Sequence, residues 1–134
     1  MKLFISVHHI GYAVHDIEKT AEYYINADWL LSEIIIEKVQ NVKIAYLSKE
    51  GFPLIELVAP IDENSPIVKT LEKSGVTPYH VCYEVDDIDE TIEALYEDHF
   101  MPLFEPIEST AMENRKICYL YNLNVGLIEI VNKK

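Results

Sequence analysis

Apolar and polar side chains alternate along residues 4–14, with β-branched and aromatic types prominent, so the chain opens on a strand. Asp16 then stands as a helix cap, and Ile17, Ala21, Tyr24 and Ile25 recur at helical spacing until Asn26-Ala27-Asp28. Residues 30–39, with Ile34-Ile35-Ile36 inside them, read as a buried strand. Residues 42–48 read as another, and Gly51-Phe52-Pro53 turns the chain into a third at 54–58. The connector 60–78 contains a short helix: Ser65-Pro66 supplies a cap with proline in the first turn, Ile67 and Leu71 share a face, and Gly75 stops it. Residues 79–85 form a strand. Asp87 with Glu90 resembles a capping box for a helix striped by Ile88, Ile92 and Leu95. Strands follow at 103–107, flanked by Pro102 and Pro106, and at 116–121 and 127–131.

The second half therefore replays the first. His9-Ile10-Gly11-Tyr12-Ala13-Val14-His15-Asp16-Ile17 returns as His80-Val81-Cys82-Tyr83-Glu84-Val85-Asp86-Asp87-Ile88, an offset of 71 (9 to 80). Lys43-Ile44-Ala45-Tyr46-Leu47 matches Lys116-Ile117-Cys118-Tyr119-Leu120 at an offset of 73 (43 to 116). Leu54-Ile55-Glu56-Leu57-Val58 matches Leu127-Ile128-Glu129-Ile130-Val131 at the same offset. Three aligned segments in one order identify an internal duplication. The predicted fold is α+β, two tandem βαβββ modules in a single domain over 1–134: module one at about 4–59, the connector at about 60–78 and module two at about 79–134.

Composition narrows the partners. The 134 residues are 49% hydrophobic, enough for a core, and the net charge is −12 from 11 basic and 23 acidic residues, with Arg115 the one arginine. Nucleic acid and anionic membrane surfaces, which select for basic patches, are excluded as partners, leaving small molecules, metal ions and proteins. No apolar run approaches the ~20 residues that span a bilayer. The N-terminus runs straight into a strand with no signal-peptide pattern, and Cys82 and Cys118 lie in strands, so a cytoplasmic protein with reduced thiols is expected.

Four residues stand out because the repeat pairs them: His9 with His80 on the first strands, and Glu56 with Glu129 on the last. A lone strand histidine is ordinarily a core or rim residue, and a lone strand glutamate ordinarily faces solvent. Here Glu56 shares a strand face with Leu54 and Val58, where an uncompensated carboxylate is costly. If the modules pack as pseudo-symmetric halves, two imidazoles and two carboxylates converge on one divalent cation, and Zn, Ni, Co, Mn or Fe(II) suits that donor set. Four protein ligands on an octahedral ion leave two positions for water or substrate oxygens, the mark of a catalytic metal. His8 points away from His9, while His15 and His99 read as surface residues. Cys82 lies on the face of His80 and reads as a small core hydrophobe.

Two βαβββ modules carrying His and Glu on equivalent strands resemble the vicinal oxygen chelate superfamily, which includes glyoxalase I, over nearly the whole chain. Within it, the strings His9–Val14, Ser65-Pro66-Ile67 with Leu71-Glu72-Lys73, and Tyr79-His80 with Glu84-Val85-Asp86-Asp87-Ile88 are most similar to methylmalonyl-CoA epimerases. The resemblance implies a half-open mixed β-barrel around a metal held by His9, Glu56, His80 and Glu129, with a carbonyl or thioester substrate whose oxygen the metal binds. It also implies a carboxylate that moves a proton on the adjacent carbon, with Glu129 the first choice for base and Glu56 its symmetric partner. The chain departs from the epimerases at Lys43, where some of them carry a catalytic glutamate. Lys43 is a candidate to bind a substrate carboxylate. It also departs at Tyr121–Gly126 and Glu113-Asn114, where they carry a His-Pro turn and glycines. Glyoxalase I is the alternative, and the lack of basic residues for glutathione carboxylates beyond Arg115 counts against it. A non-catalytic antibiotic-binding protein is a further alternative, against which the complete ligand set counts. A ring-cleaving dioxygenase normally has one carboxylate rather than two. Open sheet edges of paired modules predict a homodimer.

Overall fold

The computed structural model describes Phe4 and residues 6–134; residues 1–3, and residue 5 of the first predicted strand, lie outside it. The elements are β1 (Ser6–Ala13), α1 (Ile17–Ile25), β2 (Leu30–Leu31), β3 (Ile35–Glu37), β4 (Val42–Ser48), β5 (Ile55–Pro60), α2 (Ile67–Ser74), β6 (Thr77–Val85), α3 (Ile88–Glu97), β7 (Met101–Pro102), β8 (Ile107–Ser109), β9 (Arg115–Asn122) and β10 (Gly126–Asn132), with a 3-10 turn at Thr110–Met112. The α+β class and the doubled strand–helix–strands order agree with the hydrophobic pattern. Among the described residues no helix is long and apolar enough to cross a membrane.

The chain forms two compact units, 9–79 and 80–134, the latter joined by the residues up to His8. In the first, the strands run in the order β2-β4-β5-β1, with β3 also pairing β4. β1 lies parallel to β5, Gly11 opposite Glu56, and β4 lies antiparallel to β5, Tyr46 opposite Glu56. In the second, the order is β6-β10-β9-β7, with β8 on β9. Here Cys82 stands opposite Glu129 in the parallel pair and Tyr119 opposite it in the antiparallel pair.

Alternation assigns each sheet two jobs. One face packs a helix: Val14, Ala45, Leu47, Leu57 and Ala59 close over Ile17 and Ala21 of α1. Its counterpart in the second unit, Val85, Cys118, Leu120, Ile128 and Ile130, closes over Ile88 and Leu95 of α3. The other face carries His9, Glu56 and Tyr46 in the first unit and His80, Glu129 and Tyr119 in the second.

The helix ends repeat as faithfully as the strands. Asp16 and Asp87 cap α1 and α3 in the same extended conformation, accepting from the N–H of Lys19 and Glu90 at 3.0 and 3.1 Å. Each helix is followed by a left-handed residue, Asp28 at φ 69° and His99 at φ 68°. Gly75 ends α2 at φ 70°, its N–H donating to the Leu71 carbonyl at 2.8 Å, a backbone conformation that favours glycine. Asn132 ties the second unit together: its Oδ1 accepts the Ile88 N–H at the start of α3, and its carbonyl accepts the Arg115 Nε–H.

Three details differ from the pattern. Residues 30–39 are not one buried strand. They form the short strands β2 and β3, and Leu30, Ile36 and Val39 are exposed, because only one edge of β4 is available to pair with them. Residues 103–106 do not form a strand either, and Ile107 begins β8. Pro102 ends β7, Pro106 precedes β8, and a prolyl nitrogen has no N–H for a ladder. At α2 no side chain caps the N-terminus; the Ser65 hydroxyl is buried without a hydrogen-bond partner among the described residues, and its carbonyl takes the Val68 N–H instead.

Candidate functional site

In the unit 9–79, the buried His9 sets Nε2 3.3 Å from Oε1 of the buried Glu56. Oε2 of Glu56 accepts the Tyr46 hydroxyl at 3.1 Å, and the Tyr46 ring stands edge-on to His9 at 5.9 Å between centroids. The unit containing residues 80–134 repeats the pair: His80 Nε2 is 3.1 Å from Glu129 Oε1, both residues are buried, and Tyr119 stands edge-on to His80 at 5.1 Å. The sequence builds each pair in the same way. A strand puts the histidine on the face turned from its helix, and the neighbouring strands bring Glu and Tyr opposite each other on that face.

A buried carboxylate needs a proton donor or a cation beside it. Two protein ligands on one ion at bond lengths of about 2.1 Å lie about 3.0 Å apart at right angles and about 3.4 Å apart at the tetrahedral angle. The observed 3.3 and 3.1 Å fall in that interval, and imidazole nitrogen with carboxylate oxygen is a donor set for first-row divalent metals. Each pair therefore fits two positions of a cation's ligand shell.

The remaining residues singled out in the sequence separate from these pairs. Lys43 is exposed on β4 and lies by alternation on the α1 face, opposite to Tyr46 and Glu56; it lines a shallow pocket with His15, Asp16 and Glu18. The structure does not bring it to the His9–Glu56 face. Cys82 is buried on the His80–Glu129 face, beside Glu129, where the first unit has Gly11. His15 and His99 are exposed.

Two features went unread in the sequence. Glu37, the last residue of β3, is 1% exposed and pairs with Val42, which places it on the same face of the sheet as Tyr46 and Glu56. Its counterpart in the second unit is the buried Ser109, opposite Arg115. Beside it, Arg115 donates from Nη2 to Oε2 of Glu84 at 2.5 Å and from Nε to the Asn132 carbonyl at 2.8 Å, a largely buried ion pair where the first unit has Val42 and Ala13.

Paired βαβββ units, each setting an imidazole against a carboxylate on the face away from its helix, define a class of duplicated folds with glyoxalase topology. The chain belongs to the Glyoxalase/Bleomycin resistance protein/Dioxygenase superfamily, whose sequence profile matches residues 8–119. It is 28% identical over 130 residues to YqjC of Bacillus subtilis, an uncharacterized protein, covering 94% of this chain and 91% of that one. It is 27% identical over 128 residues to the mitochondrial methylmalonyl-CoA epimerase of Homo sapiens, covering 92% of this chain and 72% of that one. The crystal structure of methylmalonyl-CoA epimerase from Mycobacterium tuberculosis is similar with a TM-score of 0.88 at 28% identity, covering 100% of this chain and 91% of that one.

Proposed function

We propose that the chain is a metal-dependent enzyme that moves a proton on the carbon next to a thioester carbonyl, acting as an epimerase on a methylmalonyl-type acyl-CoA. The observation that carries this reading is the repeated buried pair, imidazole Nε2 against carboxylate Oε1 at 3.3 and 3.1 Å, in a chain similar to methylmalonyl-CoA epimerases. In this reading His9, Glu56, His80 and Glu129 together hold one divalent cation, Zn, Ni, Co or Mn.

When bound, such an ion acts as a Lewis acid on the thioester oxygen and stabilises the developing enolate, worth several kcal/mol of barrier. The chain's own residues do the rest. His9 and His80 present their Nε2 atoms to Glu56 and Glu129 from the strands. Glu129 would loosen from the ion to take the α-proton as general base, and the enolate would regain a proton on its opposite face. Glu56 is its symmetric partner on the other half. Glu37, buried on the face of Glu56, adds a carboxylate that the second unit replaces with Ser109. Burial of all these groups excludes bulk water from the proton's path. Cys82 and Cys118, both buried and neither in a disulfide, suit a reducing cytoplasm. Met101, Leu103, Tyr121, Leu123 and Val125, apolar and exposed around β7 and the β9–β10 turn, suit a homodimer contact.

The test incubates metal-reconstituted protein with methylmalonyl-CoA in deuterium oxide. Deuterium enters C2, chelation abolishes the exchange, and Glu129→Gln slows it about 10²–10⁴-fold. Full exchange in Glu129→Gln overturns its role as base. No exchange in metal-loaded protein, with turnover of the methylglyoxal–glutathione adduct instead, overturns the epimerase reading in favour of a lyase.

A further inference from the structure

We propose that Tyr46 is a positioning residue that keeps Glu56 a one-oxygen ligand. The inference rests on the metal reading above and extends it to a residue that touches neither metal nor substrate. Both oxygens of Glu56 are engaged in different ways: Oε1 faces His9 Nε2 at 3.3 Å, and Oε2 accepts the Tyr46 hydroxyl at 3.1 Å. The arrangement is set by the sheet. Tyr46 and Glu56 are direct cross-strand partners, so the phenol reaches the carboxylate without a loop to order. The Tyr46 ring is held in turn by its edge contact with His9.

A carboxylate whose second oxygen is hydrogen-bonded offers one lone-pair direction to a cation and holds it there. Partners of this outer kind orient the ligand and typically account for 10–100-fold in metal affinity or activity. They also limit coordination number. A carboxylate free to rotate can close on an ion with both oxygens and occupy a position that a substrate oxygen needs. With Tyr46 holding Oε2, Glu56 uses one position, and the ion keeps room for two substrate oxygens. Tyr46 is thus a determinant of open coordination, and through it of the capacity to chelate a substrate.

The experiment compares wild type and Tyr46→Phe, which removes one hydroxyl and leaves the ring packing on His9. Co²⁺ is titrated into metal-free protein, and its dissociation constant and visible d–d spectrum are recorded. The expected result is a dissociation constant raised about 10–100-fold in Tyr46→Phe with an altered spectrum, while the metal-free protein keeps the wild-type circular dichroism. The loss should vanish in a Glu56→Gln background, which a merely structural role for the ring would not produce. A second measurement needs no variant: the infrared difference spectrum of wild type on Co²⁺ binding, with ¹³C-labelled glutamate, should show the wide carboxylate splitting of one-oxygen ligation. Equal affinity and spectrum in Tyr46→Phe, or two-oxygen splitting in wild type, overturns the role of Tyr46 and leaves the metal reading standing. Failure of wild type to bind Co²⁺ overturns both.

Discussion

Cys118 makes the stability of this protein depend on alkaline pH in a way that can be calculated. It sits fully buried on the helix face of β9, among Val85, Leu95, Leu120 and Ile130. Burial pushes its thiol up from 9.0 to about 11, the smaller influence of the Phe104 backbone acting in the opposite direction. The folded state therefore keeps the proton after the unfolded chain has released it. Below pH 9 both states hold the proton and the group is silent. Between 9 and 11 the unfolded state binds fewer protons than the native one, so stability falls as pH rises. The loss is about 1.4 kcal/mol by pH 10 and about 2.3 kcal/mol by pH 11, approaching about 2.7 kcal/mol above that. Lysines and tyrosines titrate in the same range, so the measurement is a difference of differences: urea unfolding of wild type and Cys118→Ala at pH 8, 9, 10 and 11. Wild type should lose stability relative to the variant by those increments. A gap that stays flat within about 0.5 kcal/mol from pH 8 to 11 would refute the assignment of the burial penalty to this thiol.

Leu120→Ala should cost about 2–5 kcal/mol, since the side chain is fully buried against α3 and its removal leaves a cavity; denaturant midpoints at constant slope check it. Arg115→Met should cost about 2–3 kcal/mol, less than the ~3–5 of a completely buried pair because Glu84 keeps partial exposure; the double variant with Glu84→Gln should recover part of the loss.

Much of the fold was legible because the chain states it twice. The Asp16 and Asp87 caps, the helices they start and the strands ending each half follow from periodicity and recur in the structure at matched positions. Residues 30–39 misled because a run of β-branched residues signals a pleated surface and carries no information about burial; Ile36 on the edge strand β3 and Val39 in the turn after it face solvent. The two His–Glu pairs were legible through the repeat. Glu37 was not, since its repeat partner is Ser109, and a three-residue strand before a turn shows no alternation to read. The face that Lys43 takes was hidden for a related reason: position in the sequence does not fix it, and cross-strand register does. The Tyr46 hydroxyl bond depends on a cross-strand pairing of residues ten apart, which is invisible until β4 and β5 are aligned.

Asn132 gives the second unit an unusual point of vulnerability for protein engineering. One residue near the chain's last position seals the start of a helix with its side chain and holds the one arginine with its backbone, and the next residue's N–H closes onto the Val85 carbonyl. Trimming a few residues there, a routine step in making expression variants, would remove three tethers at once. For anyone redesigning this chain, Asn132 and Lys133 are positions to leave intact.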